Sequence, residues 1–364
     1  MPFDHGTFAV TVFQLREDLP EDYLDLFTGM CAGSLDSVKD EPQIGWVSGR
    51  HLLETTIDEV TALCGGHLYV NLRKAERKIP ASLLNAICRR EELVYMQANE
   101  TSVVPSRQKK QIKEEAVEKN LMKMPPQISG TPMVLDMASK VLYLGTASTA
   151  QIDNFIAFFY KTTNIEPVQL TPEWYLENRF QMTEVSLPVV MFSEKGDGET
   201  TPGRDFLTWL WYYSECEDGV IKADQFGEFA FAIEGPLTFA FAAEARGAAE
   251  TTLKKGDSPL RAAEAKAALN VGKKLKKAKF MLVRGEDVWS GNFDADHFNF
   301  SGLSLPEGEE MDRDSRFAER ITNLHIFQTV MGEYFAKFVQ TLTAPGWDET
   351  EQKIQRWVLE RDSR

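Results

Sequence analysis

Near the end of the chain, Phe317, Ile321, Leu324, Met331, Phe335, Phe338 and Leu342 recur at spacings of three and four, broken where Gln328 falls on the stripe. This pattern makes one side of a long helix, from about Asp312, apolar along its length. A stripe of that length reads as core rather than as a seam between chains. The rest of the chain must therefore supply an apolar surface to cover it.

Period-two segments supply that surface. "GTFAVTVFQL" alternates, and so does "HLYVNLRK", where Leu68, Val70 and Leu72 oppose Tyr69, Asn71 and Arg73 as in a half-buried strand. "IGWVSG" is a short strand, and "TIDEVTALCGG" a helix ending in a glycine pair. "PMVLDMASKVLYLGTAS" predicts a hairpin turning near Ser139–Lys140. "GEFAFAIEGPLTFAFAAEA" predicts two strands around Gly235–Pro236. Helical patterns separate these segments: Pro80 opens one, the Lys/Glu-rich stretch to Pro125–Pro126 is a second, and "GRDFLTWLWYYSE" is a strongly aromatic third. The fold class is α+β, in two or three subdomains with mostly antiparallel sheets and a long C-terminal helix. The divisions fall at 1–75, 76–131 (charged and helical), 132–172 (β-β-α-β), 173–310 (an extended α+β region) and 311–364 (helical).

Charge narrows the function. Of 364 residues, 55 are Asp or Glu and 40 Lys or Arg, a net charge of −15. That balance argues against a uniformly basic nucleic-acid binder, yet allows one with positive charge confined to a single surface. Three basic clusters stand out. The first is Arg73, Lys74, Arg77 and Lys78, continued by Arg89 and Arg90; the second is Arg107, Lys109, Lys110 and Lys113. The third lies in "SPLRAAEAKAALNVGKKLKKAKF", residues 258–280. Read as a helix, this segment gathers Leu260, Ala267, Ala268, Val271, Leu275 and Ala278 on one side. Lys266, Lys273, Lys276 and Lys277 lie opposite, with Lys274 adjoining. No acid occurs from Ala265 to Arg284. Such clusters suit many weak contacts to phosphates, and none carries the aromatic interleaving of a single-strand stacking platform. The expected contact is with the backbone and indifferent to sequence.

At "IGWVSG" and "NLRKAERKIP" the chain resembles the bacterial recombination-associated RdgC family. Gly45, Trp46 and Val47 match its Gly-Trp-Val strand, and Arg73, Lys74, Glu76, Lys78 and Pro80 its basic segment before a helix. A charged helix, a hairpin with Asp136 and the turn "TAS" follow in the family's order over roughly residues 40–170. One departure is "LMKMPPQIS", where Pro125 and Pro126 stand in place of an aromatic contact. The resemblance implies a horseshoe-shaped protomer, and a ring-like homodimer around double-stranded DNA that limits access of the RecA recombinase. It implies no enzymatic activity and no cofactor.

Other chemistry is thinner. There is no Walker loop, since "EKGDGETTPGRD" lacks the Gly-Lys-Ser/Thr ending. Cys64 and His67 in "CGGH" have no second ligand pair at zinc spacing. Asp294, Asp296 and His297 offer the alternative of a metal-dependent nuclease, and the basic helix that of a scaffold docking an acidic partner. Cys31, Cys64, Cys88 and Cys216 lack framework spacing, which predicts a reduced cytosolic setting with buried, inert thiols. The chain's start lacks signal-peptide features, and no apolar run is long enough to span a bilayer. The expected location is the cytoplasm, on the nucleoid.

Overall fold

The computed structural model describes residues 3–196, 198–242, 249–254, 256, 258–308 and 312–363. In chain order the strands are β1 (Phe8–Gln14), β2 (Gln43–Ser48), β3 (Leu63–Cys64), β4 (His67–Glu76), β5 (Gln127–Asp136), β6 (Val141–Leu144) and β7 (Val168–Gln169). They continue with β8 (Val220–Ala223), β9 (Gly227–Ala240), β10 (Glu250–Leu253), β11 (Lys274–Arg284), β12 (Asp287–Asp294) and β13 (Asn299–Ser304). The helices are α1 (Tyr23–Gly29), α2 (Glu59–Ala62), α3 (Ala81–Ala98), α4 (Ser106–Leu121) and α5 (Thr149–Thr163). They continue with α6 (Pro172–Tyr175), α7 (Pro202–Cys216), α8 (Ala263–Asn270), α9 (Arg313–Leu342) and α10 (Trp347–Glu360). The α+β class holds, with antiparallel pairing throughout the registered ladders.

The chain divides into two compact units. One comprises Met1–Leu19, Cys64–Leu68 and Val134–Arg364; the other comprises Pro20–Leu63 and Tyr69–Met133.

In the larger unit the strand order runs β10-β9-β11-β12-β13-β1-β6, with β7 on β1 and β8 on β9. Phe229, Phe231, Phe280, Trp289, Phe293 and Phe300 fill one face of this sheet. The long apolar stripe covers that face as α9: Phe327 stacks on Phe280 at 5.5 Å, and Tyr334 packs on Phe231. Burying such rings, each worth on the order of 2–3 kcal/mol, is what the predicted stripe required. Gln328 interrupts the stripe to donate to the Tyr175 hydroxyl at 3.3 Å. The aromatic helix is α7, whose Trp209 and Tyr213 stack at 4.7 Å. The chain's last helix is pinned to it. The Arg361 guanidinium lies over Trp211 (4.1 Å) and Trp357 (4.7 Å) and donates to both Glu215 carboxylate oxygens. Both indole N–H groups donate to that same carboxylate.

In the smaller unit β2 runs antiparallel to β4, from Gln43 opposite Ala75 to Ser48 opposite Val70. The α3–α4 helical pair follows, with Pro80 and Pro105 as the residues preceding each helix.

Four expectations need correction. Residues 68–73 of β4 are buried on both faces rather than one, Arg73 included. The helix at 56–66 shrinks to α2, because Leu63 and Cys64 extend into a short strand. Gly235–Pro236 does not separate two strands. It lies inside the single strand β9, where the register against β11 shifts between Glu234 and Leu237 and spares Pro236 a ladder donor. Cys31 and Cys216 are exposed, so burial holds only for Cys64.

The largest correction is at 258–280. The helix there is only α8, and Lys274–Arg284 is the strand β11. Gly272, at φ +93°, ends the helix, and a Cβ there would lie 2.5 Å from the Lys195 carbonyl oxygen. Beyond it, Leu275, Ala278, Phe280 and Leu282 are buried on the face toward α7 and α9. The period of two wins because β11 fits between β9 and β12.

Candidate nucleic-acid interface

The three basic clusters have three different fates. On β4, Arg73 is an internal cation. A side chain on Gly45, its register partner, would come within 2.5 Å of the Ala32 Cα. Glycine therefore lets residues 31–33 lie against β2, which brings the Gly33 carbonyl to 2.5 Å from the Arg73 guanidinium. The Leu52 carbonyl accepts a second bond at 3.2 Å. Burial lowers the Arg73 pKa. Arg77 donates to the carbonyls of Val38 and Met124. Lys74 pairs with Glu76 at 2.7 Å, and its hydrogen bond lowers the Glu76 carboxyl. Lys78 is exposed. The cluster that reads as a basic strand end thus clamps loops: two of its four cations face backbone carbonyls. Its continuation on α3 is paired too, Arg89 with Glu92 at 3.5 Å and Arg90 with Glu91 at 2.8 Å.

The 258–280 cluster is neutralised locally. Lys274 is buried and pairs at 2.6 Å with Asp205, itself buried on α7. Lys273 is also buried and donates to Thr251 at 2.6 Å. Lys276 pairs with Glu250 and with Asp296 (3.5 Å), and Lys277 with Asp294 at 2.6 Å. Lys266 donates to the Arg361 carbonyl at 2.9 Å. The acid-free run was real in sequence. Its carboxylates arrive from other elements, across strands and from α7. A phosphate cannot reach Lys273 or Lys274.

The α4 cluster remains open. Ile112 and Ala116 turn one side of the helix inward, where α3 packs. Arg107, Lys109, Lys110 and Lys113 are all exposed. Lys110 lies 3.8 Å from Glu114, a loose i,i+4 contact. Arg107, Lys109 and Lys113 have no ion-pair partner among the described residues. Farther along, Lys119 and Gln111 hold Glu115, whose carboxyl is lowered first by the Gln111 bond and then by Lys119. That leaves the N-terminal half of α4 cationic and its C-terminal half acidic, with Glu114, Glu115 and Glu118 against Lys119. A groove of about 800 Å³ runs beside it, lined by Lys39, Lys110 and Lys113, by Asp40, Glu114 and Glu118, and by Val117, Leu121 and Met122. Lys39 is a member that sequence reading missed; a single lysine in an acidic loop gives no signal.

The α3–α4 pair is also the least buried part of this unit. No residue of α3 is buried, and Leu83, Leu93 and Val94 are exposed.

Asp294, Asp296 and His297 do sit together, but in ion pairs. Arg204 grips Asp296 with two nitrogens at 2.5 and 2.8 Å, which with Lys276 lowers a carboxyl that burial alone would raise. Asp294 meets Lys277 and His297 Nδ1 (3.3 Å). Cys64 faces Asp314, and His67 Nδ1 faces the Gly65 carbonyl. Among the described residues, no group of three or more His, Cys, Asp and Glu side chains is placed to hold a metal ion. No helix among them is long and apolar enough to cross a membrane.

A family model described as "RdgC: Putative exonuclease, RdgC" matches residues 9–184, just under half of the chain. The matched segment includes β4, α3 and α4. No curated protein matches the chain.

Proposed function

We propose, from the likeness to the RdgC family over residues 9–184, that this chain binds double-stranded DNA through its phosphates. The likeness supports a function connected with DNA recombination. The finer reading is a homodimer that encloses the duplex, binds without sequence preference and limits access of a RecA-type recombinase. Such a protein works in the cytoplasm, on the nucleoid, and needs no cofactor.

One observation carries the reading. In a chain of net charge −15, Arg107, Lys109 and Lys113 reach solvent from one helix with no ion-pair partner among the described residues. Uncompensated cations on an acidic protein are what phosphate contact requires. Their helix carries no aromatic side chain, so base stacking has no platform there. The homodimer is supported by the exposure of Leu83, Leu93 and Val94 on α3.

A salt titration of duplex binding tests the reading. If the four α4 cations on two copies neutralise about eight phosphates, log affinity falls against log salt with a slope of about −7. Arg107→Glu, Lys109→Glu and Lys113→Glu together weaken binding to every duplex and flatten the slope. Loss confined to some sequences would mean base readout, and a slope near zero would overturn phosphate contact.

The description of the matching family model favours a second reading, an exonuclease. We read the chain as non-enzymatic, because its two best carboxylate candidates, Asp294 and Asp296, are engaged by Lys277, Arg204 and Lys276. Incubation with end-labelled duplex and Mg²⁺ or Mn²⁺ separates the two: cleavage abolished by Asp296→Ala would establish the nuclease.

A further inference from the structure

The aromatic helix α7 packs the core with one part of its surface and walls a pocket with another. Between α7, the C-terminal part of α9 and the start of α10 lies a cavity of about 300 Å³, at the lower end of the range for small-molecule sites. Trp209, Tyr212 and Tyr213, all buried, form its aromatic wall. None of the lining residues belongs to the unit that carries α4.

Trp209 gives the first sign of a ligand. It is 1% exposed, and its indole N–H donates to no group among the described residues. Other buried indoles in this unit are satisfied: those of Trp211 and Trp357 donate to Glu215, and that of Trp289 to the Asn323 carbonyl. A donor set so deep in the fold calls for an acceptor that enters the pocket.

The charges give the second sign. Glu217 and Lys337 are the ionised residues among those lining the pocket, and both are exposed. They do not pair with each other, and neither has another ion-pair partner among the described residues. Elsewhere in this unit opposite charges close up, as Lys274 and Lys277 do on Asp205 and Asp294, each at 2.6 Å. Burial and the neighbouring Glu217 push the Tyr212 phenol up to about 12, so it stays protonated and donates to one Glu217 oxygen at 3.3 Å. The other oxygen is left to accept from a ligand. A plain anion meets repulsion from Glu217, and a plain cation from Lys337. A zwitterion suits both. Its carboxylate accepts from the Lys337 ammonium and the Trp209 N–H, and its ammonium donates to Glu217. The rest of the wall is largely rings and Ala344, which suits an apolar side chain.

We propose that this pocket binds a free α-amino acid with an apolar side chain. The site is independent of the DNA-binding reading.

Titration calorimetry on the full chain tests it with L-phenylalanine, L-leucine and L-methionine. Each is compared with its analogue lacking the amino group and its analogue lacking the carboxylate. At least one of the three binds with a dissociation constant below about 1 mM, and both its analogues bind about tenfold more weakly or worse. Glu217→Gln removes the preference over the analogue without the amino group. Lys337→Gln removes the preference over the analogue without the carboxylate. Both changes are at exposed positions, and circular dichroism checks that each variant folds. In ¹⁵N-labelled protein the bound amino acid shifts the indole resonance of Trp209, assigned by its absence from Trp209→Phe. No binding by any of the three at millimolar concentration, analogues that bind as well as the amino acid, preferences untouched by both variants, or an unmoved Trp209 resonance would each overturn the proposal.

Discussion

Asp205 and Lys274 show how much a single pair can decide. Both are buried, and the lysine's remaining protons reach the Glu199 carbonyl at 2.7 Å. Burial pushes the Asp205 carboxyl up to about 6 against the pull of Lys274. Between its ordinary value near 3.8 and that value, the folded chain keeps a proton that the unfolded chain releases. This pair's contribution to stability therefore declines as pH rises from about 4 to about 6, and is flat above. Denaturant titrations of wild type and Asp205→Asn across that window isolate the effect, since the variant loses this slope. At pH 7, Asp205→Asn strands the ammonium group and lowers unfolding free energy by about 3–5 kcal/mol; Asp205→Leu combined with Lys274→Met costs far less. Arg73 carries the complementary lesson. Arg73→Met leaves the carbonyls of Gly33 and Leu52 without a donor. It should cost about 2–3 kcal/mol by thermal or chemical melt while leaving the salt slope of DNA binding unchanged. A flattened slope would return Arg73 to the phosphate-contacting set.

At the scale of elements, most of the fold was legible where the signal was local. The α9 stripe, α5, α7 and the hairpin between β5 and β6 follow from periodicity and punctuation in the chain itself. What could not be read was decided by distant partners. Lys274–Arg284 fits a helical projection as well as a strand, and only its neighbours β9 and β12 settle the choice. The same distance hides the acids that neutralise its lysines. Gly272 is the local remnant of that decision. Gly272→Ala must place a Cβ against the Lys195 carbonyl at positive φ, so a loss of about 1–3 kcal/mol is expected, read as a drop in melting temperature. A neutral effect would mean that the α8–β11 turn relaxes freely. For the basic clusters, sequence located the cations on each element, missed Lys39 beside α4, and could not rank them, because exposure and pairing are tertiary properties. Only the α4 set kept the freedom expected of it.

For the whole molecule, the charges sort by environment rather than by number. Many cations, the buried ones above all, spend their charge on carboxylates or carbonyls, and the acidic surplus faces solvent. That surplus repels a polyanion, so binding should be weak wherever α4 is not the approach and should fade quickly with salt. The helical pair that bears α4 has a further consequence. A helix with no interior side chain rests on little besides its own hydrogen bonds and its neighbour. Its amides should trade hydrogen for deuterium sooner than those of α7 or α9, and protection gained there on adding duplex or raising protein concentration would report contact without any label on the ligand.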